Sequence, residues 1–217
     1  MRDTPDLIDS LVADATPVRR LHRPLVRVVC WLLLAALLMA LVVLVNGARP
    51  DLALKLQRPV FVTSVAAAIV TGILAAAAAF TASVPGRSCR WLLLPLPALA
   101  VWVGTIGYGC LTNWVEIGPE GMSPGETVRC FATLVVVSTP LSIAMMTMLR
   151  HVARLSPVPV AMCAALAVGA MAATSLSLIH PLDASAMVLL WNLGVALLFV
   201  GAGSLFGHRP FARMAQH

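Results

Sequence analysis

The sequence predicts an all-α polytopic membrane protein: a bundle of six transmembrane helices with a short cytoplasmic amphipathic helix at its N-terminus. Of the 217 residues, 60% are apolar and only 11% are charged, whereas a soluble domain carries about 25% charged residues. The apolar residues are gathered into six runs, each close to the roughly 20 residues that cross a bilayer. Together these observations indicate a chain whose environment is lipid and whose polar segments are short.

Two regions follow from this pattern: a polar segment at residues 1–24 and a transmembrane domain at residues 25–217. The first apolar run is longer than the 7–15-residue core of a cleaved signal peptide, so we expect it to be a retained anchor. The six predicted spans are Leu25–Val45, Pro59–Ala82, Trp91–Leu111, Thr127–Leu149, Pro157–Ile179 and Ala184–Phe206.

The distribution of basic residues predicts the orientation of the spans. With the N-terminus inside, eleven of the 15 arginine and lysine residues fall in inner segments. Only Arg49, Lys55, Arg58 and Arg129 fall in outer ones. Cytoplasmic loops carry such an excess of basic residues, so both termini are predicted to be cytoplasmic. Trp31 and Trp91 are expected near the inner interface as anchors, and Trp114 near the outer one.

The spans contain small residues and prolines that predict how the helices pack. Ala66–Ala68, Gly72 and Ala75–Ala79 lie in the second span, and Gly203 and Gly207 in the sixth. Small residues let helix backbones approach closely. Three prolines, Pro95, Pro97 and Pro140, are expected to kink the third and fourth helices.

Several function classes are disfavoured by what the sequence lacks. The spans hold no charge away from their ends, which argues against a proton-coupled transporter or ion pump. A passive pore is not excluded by this observation. No serine-nucleophile elbow, His-Glu-x-x-His or Walker loop occurs, so neither an enzyme nor a cofactor is predicted. The basic balance reflects loop arginines, so direct nucleic-acid binding is not expected. A small transporter or channel and a purely structural membrane subunit remain as alternatives.

The predicted outer face gathers residues that can respond to a chemical signal. Cys110 and Cys130 bracket the most polar stretch of the transmembrane domain, and a disulfide there would contribute roughly 3 kcal/mol by closing a loop of about 20 residues. His180 and Asp183 are expected at the same membrane level, and two thiols, an imidazole and a carboxylate suit zinc, copper or cadmium. The alternatives are a structural disulfide, two unpaired thiols, a plain turn at His180 and a helix cap at Asp183.

The N-terminal segment contains a predicted amphipathic helix. Leu7, Ile8, Leu11 and Val12 fall on one face, and the polar side carries Asp6, Asp9, Ser10, Ala13 and Asp14. A helix that rests on a membrane usually has a basic polar face, and this one is acidic. The pattern therefore favours a helix that inserts its apolar face into a groove of a protein partner. A surface helix lying on the membrane is the alternative.

Motifs along nearly the whole chain resemble the NrsF family, the negative regulators of sigma F. They are Leu7-Ile8-x-x-Leu11, Pro17-Val18-Arg19-Arg20-Leu21, Pro85-Gly86-Arg87, Gly107-Tyr108-Gly109-Cys110, Arg129-Cys130, His180-Pro-x-Asp183-Ala-Ser185 and Val188-Leu-Leu-Trp191. The resemblance implies a six-span anti-sigma factor of the bacterial inner membrane. It further implies that the cytoplasmic N-terminal segment sequesters an extracytoplasmic-function sigma factor and that outer-face cysteines sense oxidative or heavy-metal stress.

The resemblance also assigns roles to single residues. Leu7, Ile8, Leu11, Arg19 and Arg20 match the N-terminal family pattern, so these residues, with Val12, are expected to bind the partner. Cys130 matches a family cysteine. Some family members place a cysteine directly after the histidine of the last outer turn, where this chain has Pro181. The implied redox-sensing pair is then Cys130 with Cys110.

Overall fold

Five long helices make up most of the chain that the structure describes. This computed structural model describes residues 23–84, 86–112, 124–149 and 157–179. Its elements are α1 (Pro24–Asn46), the short α2 (Leu52–Lys55), α3 (Pro59–Ala82), a 3-10 helix (Cys89–Leu93), α4 (Leu96–Thr112), α5 (Pro124–Leu149) and α6 (Pro157–Ile179). The predicted all-α class is confirmed. Five helical segments have the length and composition needed to cross a membrane, and the third of them, Arg90–Tyr108, joins the 3-10 helix to α4. The predicted N-terminal helix and the predicted sixth span lie outside the described residues.

The ends of α1 and α3 follow from proline and glycine chemistry. Each helix begins at a proline, Pro24 or Pro59, where the missing N–H would have had no intrahelical acceptor. Gly47 ends α1 with φ = 79°, a conformation that glycine adopts without the steric penalty of a Cβ. Its N–H donates to the Val43 carbonyl at 2.9 Å. The bounds of α3 and α6 coincide with the predicted spans.

The third predicted span, Trp91–Leu111, differs from the structure. It consists of the 3-10 helix followed by α4, which begins only at Leu96. Pro95 directly precedes α4 and Pro97 is its second residue, positions at which a proline removes no intrahelical hydrogen bond. The expectation that these two prolines kink the helix is therefore wrong, because they determine where it begins. Pro140 does lie inside α5, and the helix continues through it.

Helices α3 and α6 form the centre of the bundle. They share the most extensive contact, α4 packs against α3, and α5 packs against α6 and α1. The α3 face at this centre is built from small residues: Ala75, Ala76 and Ala79 have no exposed surface, and Gly72 lies against Met171 of α6. The prediction that small residues pack closely along this helix is confirmed for most of the predicted positions, whereas Ala66 is exposed. The predicted Gly203–Gly207 pair lies outside the described residues.

Hydroxyl groups within the central helices are satisfied locally. Thr71, Thr174 and Ser175 each donate to the carbonyl four residues earlier, at 2.7, 2.8 and 3.0 Å. Because lipid offers no hydrogen-bond partner, such internal bonds allow polar side chains to lie in a membrane-spanning bundle. These residues therefore fill space without creating a polar path.

Trp31 occupies a different environment from the one predicted. Its side chain is only 1% exposed, and its indole N–H donates to the Leu141 carbonyl of α5 at 3.2 Å. It therefore joins α1 to α5 inside the bundle, and the expectation of an interfacial anchor is wrong. Trp91, by contrast, is 41% exposed. Composition cannot show which face of an almost wholly apolar helix packs inward.

Candidate functional site

The two cysteines of the candidate sensor lie at adjoining helix ends along the chain. Cys110 is two residues before the end of α4, and Cys130 is six residues after the start of α5. At a rise of 1.5 Å per residue, these positions are about 3 Å and about 9 Å from the respective helix ends. The structure describes only their backbone, and the connecting residues 113–123 lie outside it.

Different neighbours hold these two helices in the bundle. Helix α4 packs on α3, whereas α5 packs on α6 and α1. Over the described residues, α4 and α5 form no extended contact with each other. A covalent bond between Cys110 and Cys130 would therefore link two helices that share no extended contact over the described residues.

The remaining predicted residues precede or follow the described helices in sequence. His180 and Asp183 come directly after Ile179, the last residue of α6, and lie outside the described residues. The same is true of the candidate partner-binding residues Leu7, Ile8, Leu11, Val12, Arg19 and Arg20, which precede α1. Five successive crossings would place the end of α6 on the same side as Cys110 and Cys130, and the N-terminal segment on the opposite side.

Arg49 is a buried residue beside the C-terminal end of α6, which directly precedes His180. In the sequence it contributes only to the count of basic residues that predicts the orientation of the spans. It lies in the connection between α1 and α3, yet it is only 3% exposed. Its Nε and Nη2 atoms donate to Oδ1 and Oδ2 of Asp51 at 2.7 and 2.8 Å. These hydrogen bonds, together with the positive charge, hold the pKa of Asp51 below its usual range. The sequence signal for this contact is the pair of opposite charges, Arg49 and Asp51, two residues apart between two apolar runs.

Arg27 is a second buried arginine, at the opposite end of the bundle. It is 6% exposed, and its Cζ lies 5.0 Å from the centroid of the Phe80 ring on α3, a distance suited to a cation–π contact. Its Nη2 is buried and meets no hydrogen-bond partner in the part of the chain that the structure describes. A buried cation in a membrane protein is a functional candidate in its own right.

The thiols whose side chains the structure describes do not form a site. Cys30 is exposed on α1, and Cys163 is buried with its Sγ 3.9 Å from the Leu92 carbonyl. Within the described residues, no group of three histidine, cysteine or acidic side chains is arranged to hold a metal. The predicted metal candidates Cys110, Cys130, His180 and Asp183 are not among the side chains that the structure describes.

Comparison with known proteins gives one match. A family model described as NrsF, negative regulator of sigma F, matches residues 11–212. The match covers all the described helices as well as the positions of Cys110, Cys130, His180 and Asp183. No curated protein and no solved structure matches the chain. The family description implies a sigma factor as partner and a regulatory, non-enzymatic role.

Proposed function

Since the chain belongs to the NrsF family of negative regulators of sigma F, we propose that it is a membrane-bound anti-sigma factor for an extracytoplasmic-function sigma factor. The protein resides in the bacterial inner membrane, with both termini in the cytoplasm. It retains the sigma factor at the membrane and releases it on oxidative or heavy-metal stress at the outer face. The family match over residues 11–212 carries this proposal, and the apolar helices supply the membrane location.

Residues 1–24 contribute the surface that binds the sigma factor. Leu7, Ile8, Leu11 and Val12 form the apolar stripe that enters a groove, and Arg19 and Arg20 lie between this helix and α1. Burying one leucine side chain contributes about 1.5–3 kcal/mol, which corresponds to roughly a tenfold to hundredfold change in affinity.

Co-purification from membranes tests this assignment. The full-length protein should retain a sigma factor, identified by mass spectrometry, and deletion of residues 1–16 should abolish retention while the helices stay in the membrane. Leu11→Ala should weaken binding by at least about tenfold. Ser10→Ala, which also truncates to alanine but on the predicted opposite face, should not. Undiminished retention by the deletion variant would rule out this binding segment.

The sensing step uses Cys110 and Cys130. A peroxide oxidises one thiol to a sulfenic acid, and the second thiol condenses with it. Two thiols and one hydrogen peroxide thus give one disulfide and two waters. The new bond links α4 to α5, which otherwise pack against different neighbours. Cadmium would act at the same place by replacing the thiol protons, with His180 and Asp183 as further ligands.

Thiol labelling before and after treatment with hydrogen peroxide or cadmium chloride tests the sensing step. Both thiols should lose reactivity in parallel with sigma-factor release, and Cys110→Ser/Cys130→Ser should retain the sigma factor under stress. Cys30→Ser is the matched control, since that thiol lies on the exposed surface of α1. A normal response of the double variant would exclude these cysteines as sensors.

The proposed orientation has a separate test. A reporter protein fused after His217 should be active only in the cytoplasmic form if six spans follow a cytoplasmic N-terminus. A second reporter fused within residues 113–123 should show the opposite preference. A periplasmic position for His217 would contradict the orientation without affecting the family assignment.

A further inference from the structure

The connection between α1 and α3 contains an ionic contact between the buried Arg49 and the partly exposed Asp51, and Arg49 also reaches a third helix. Arg49 pairs with Asp51 through two parallel hydrogen bonds, at 2.7 and 2.8 Å, the geometry that gives arginine–carboxylate pairs their strength and direction. Its Cζ also lies 5.7 Å from the ring centroid of Phe61 on α3. We call Arg49, Asp51 and Phe61 the Arg49 clamp. Its members fix the guanidinium from both its edge and its face.

The clamp holds the C-terminal end of α6. The backbone N–H of Arg49 donates to the Leu178 carbonyl at 3.1 Å, and Nη1 donates to the Ser177 carbonyl at 3.5 Å. The last carbonyls of a helix have no intrahelical donor, and a cation there is favoured by the helix dipole. Arg49 therefore supplies both hydrogen-bond donors and positive charge to the last turn of α6.

The sequence position of this contact connects it with the candidate sensor. Helix α6 ends at Ile179, so the two clamped carbonyls, of Leu178 and Ser177, lie two and three residues before His180. Helix α6 is also half of the central α3–α6 pair, and the clamp joins α6 to the start of α3 through Phe61. A displacement of the end of α6, directly before His180, must either carry the clamp with it or break its contacts.

We propose that Arg49 is a positioning residue that holds the His180 end of α6 in the arrangement that retains the sigma factor, and that release of the sigma factor requires this clamp to open. The inference rests on the proposed anti-sigma function and deepens it, because it names the Arg49 clamp as the element that couples the C-terminal end of α6 to the rest of the bundle. In this proposal the structure shows the closed state of the clamp, and the open state is the second state that coupling between two sites requires.

Variants of the full-length protein in bacterial membranes test the clamp. Arg49→Gln should release the sigma factor at a hydrogen peroxide concentration about tenfold below that needed by wild type, a shift typical of coupling between sites. Asp51→Asn keeps Arg49 and its contacts with α6, so it should give a smaller shift in the same direction. Arg58→Gln removes an exposed charge from the same connection and should leave the dose unchanged.

A charge exchange separates positioning from simple ion pairing. Arg49→Asp/Asp51→Arg restores opposite charges but places a carboxylate beside the α6 carbonyls, so it should behave like Arg49→Gln. Arg49→Lys keeps a cationic donor and should recover part of the wild-type dose. Full rescue by the exchanged pair would show that the ion pair matters and the contact with α6 does not, which would overturn the proposal.

A stability control excludes a trivial explanation. Ala75→Val overfills the centre of α3, where Ala75 has no exposed surface, and should lower thermal stability without shifting the peroxide dose. If it shifts the dose as much as Arg49→Gln at equal loss of stability, the clamp has no special role. If neither Arg49→Gln nor Asp51→Asn shifts the dose, the inference fails while the proposed function stands. If wild type itself retains no sigma factor, the proposed function fails.

Discussion

At the scale of single residues, two buried arginines occupy opposite ends of the bundle in contrasting environments. Arg49 has carboxylate and carbonyl acceptors, whereas Nη2 of Arg27 has no acceptor among the described residues. Removing a buried ion whose partners are in place greatly lowers the free energy of unfolding. A poorly paired one can be replaced by an apolar side chain of similar volume at little cost or even with a gain.

This contrast predicts opposite effects for the same substitution. Arg49→Met should lower the free energy of unfolding by about 2 kcal/mol, since hydrogen bonds involving charged groups contribute about 1.5–3 kcal/mol. Arg27→Met should change it by less than about 1 kcal/mol or increase it. Thermal unfolding in detergent measures both, with roughly 2–4 °C expected per kcal/mol for a chain of this length. Equal losses for both variants would contradict the different roles inferred from their contacts.

The Asp51 carboxylate predicts how the clamp responds to pH. The hydrogen bonds from Arg49, together with its charge, lower the pKa of Asp51 in the folded protein. A lowered carboxylate pKa stabilises the fold at every pH above the unfolded value of about 3.9, and this contribution disappears as the pH falls through the folded pKa. Mild acidification to about pH 5 should therefore leave the clamp closed.

Hydrogen exchange at a series of pH values can follow this behaviour, after correction for the intrinsic exchange rate. Protection of the peptide containing Arg49, whose N–H is bonded to Leu178, should be constant down to the ordinary aspartate range and decline only below it. Asp51→Asn should remove this decline. A decline between pH 5 and 7 would show that a group other than Asp51 controls the contact.

At the scale of helices, the close approach of α3 and α6 depends on a residue without a side chain. A Cβ built on Gly72 would lie 2.6 Å from Cε of Met171 and 3.4 Å from Cβ of Ala170. The Met171 methyl is the tip of a flexible side chain, so it can move away from one added carbon. It cannot make room for a branched side chain without separating the helices.

Substitutions at Gly72 should therefore depend on size. Gly72→Ala should have a small effect, and Gly72→Leu should lower the free energy of unfolding by about 1–3 kcal/mol, the usual range for overpacking. Gly104→Leu is the matched control, because a Cβ built at Gly104 meets no atom of another described helix within 4 Å. Thermal unfolding of the three variants provides the comparison, and equal effects at the two glycines would contradict the packing described for α3 and α6.

The helices also show what sequence patterns can and cannot predict. The bounds of α3 and α6 were predictable because an apolar run stops where the chain becomes polar. The sequence predicts Trp31 at a membrane interface, but the side chain is buried against α5. All faces of α1 are similarly apolar, so the sequence does not indicate which face packs inward. The contact between Arg49 and α6 was out of reach, since it joins residues about 130 positions apart that no local pattern relates.

At the scale of the whole molecule, the bundle is organised around a pair of helices that are distant in sequence. Since α3 and α6 share the most extensive contact, two fragments separated between α5 and α6 should reassociate in the membrane, where preformed helices associate through packing. Co-expressed fragments 1–152 and 153–217 should therefore co-purify. Gly72→Leu in the first fragment should reduce the yield of the second, whereas Gly104→Leu should not.

The separation of α3 from α6 along the chain has a consequence for biosynthesis. At about 5–20 residues per second, the ribosome needs roughly 5–20 s to make the next hundred residues after α3. During this interval the alanine face of α3 has no α6 to pack against. The Leu141 carbonyl that accepts the Trp31 N–H is also absent until α5 has been synthesised. Until α6 is inserted, the small-residue face of α3 therefore lacks the helix that covers it in the complete bundle.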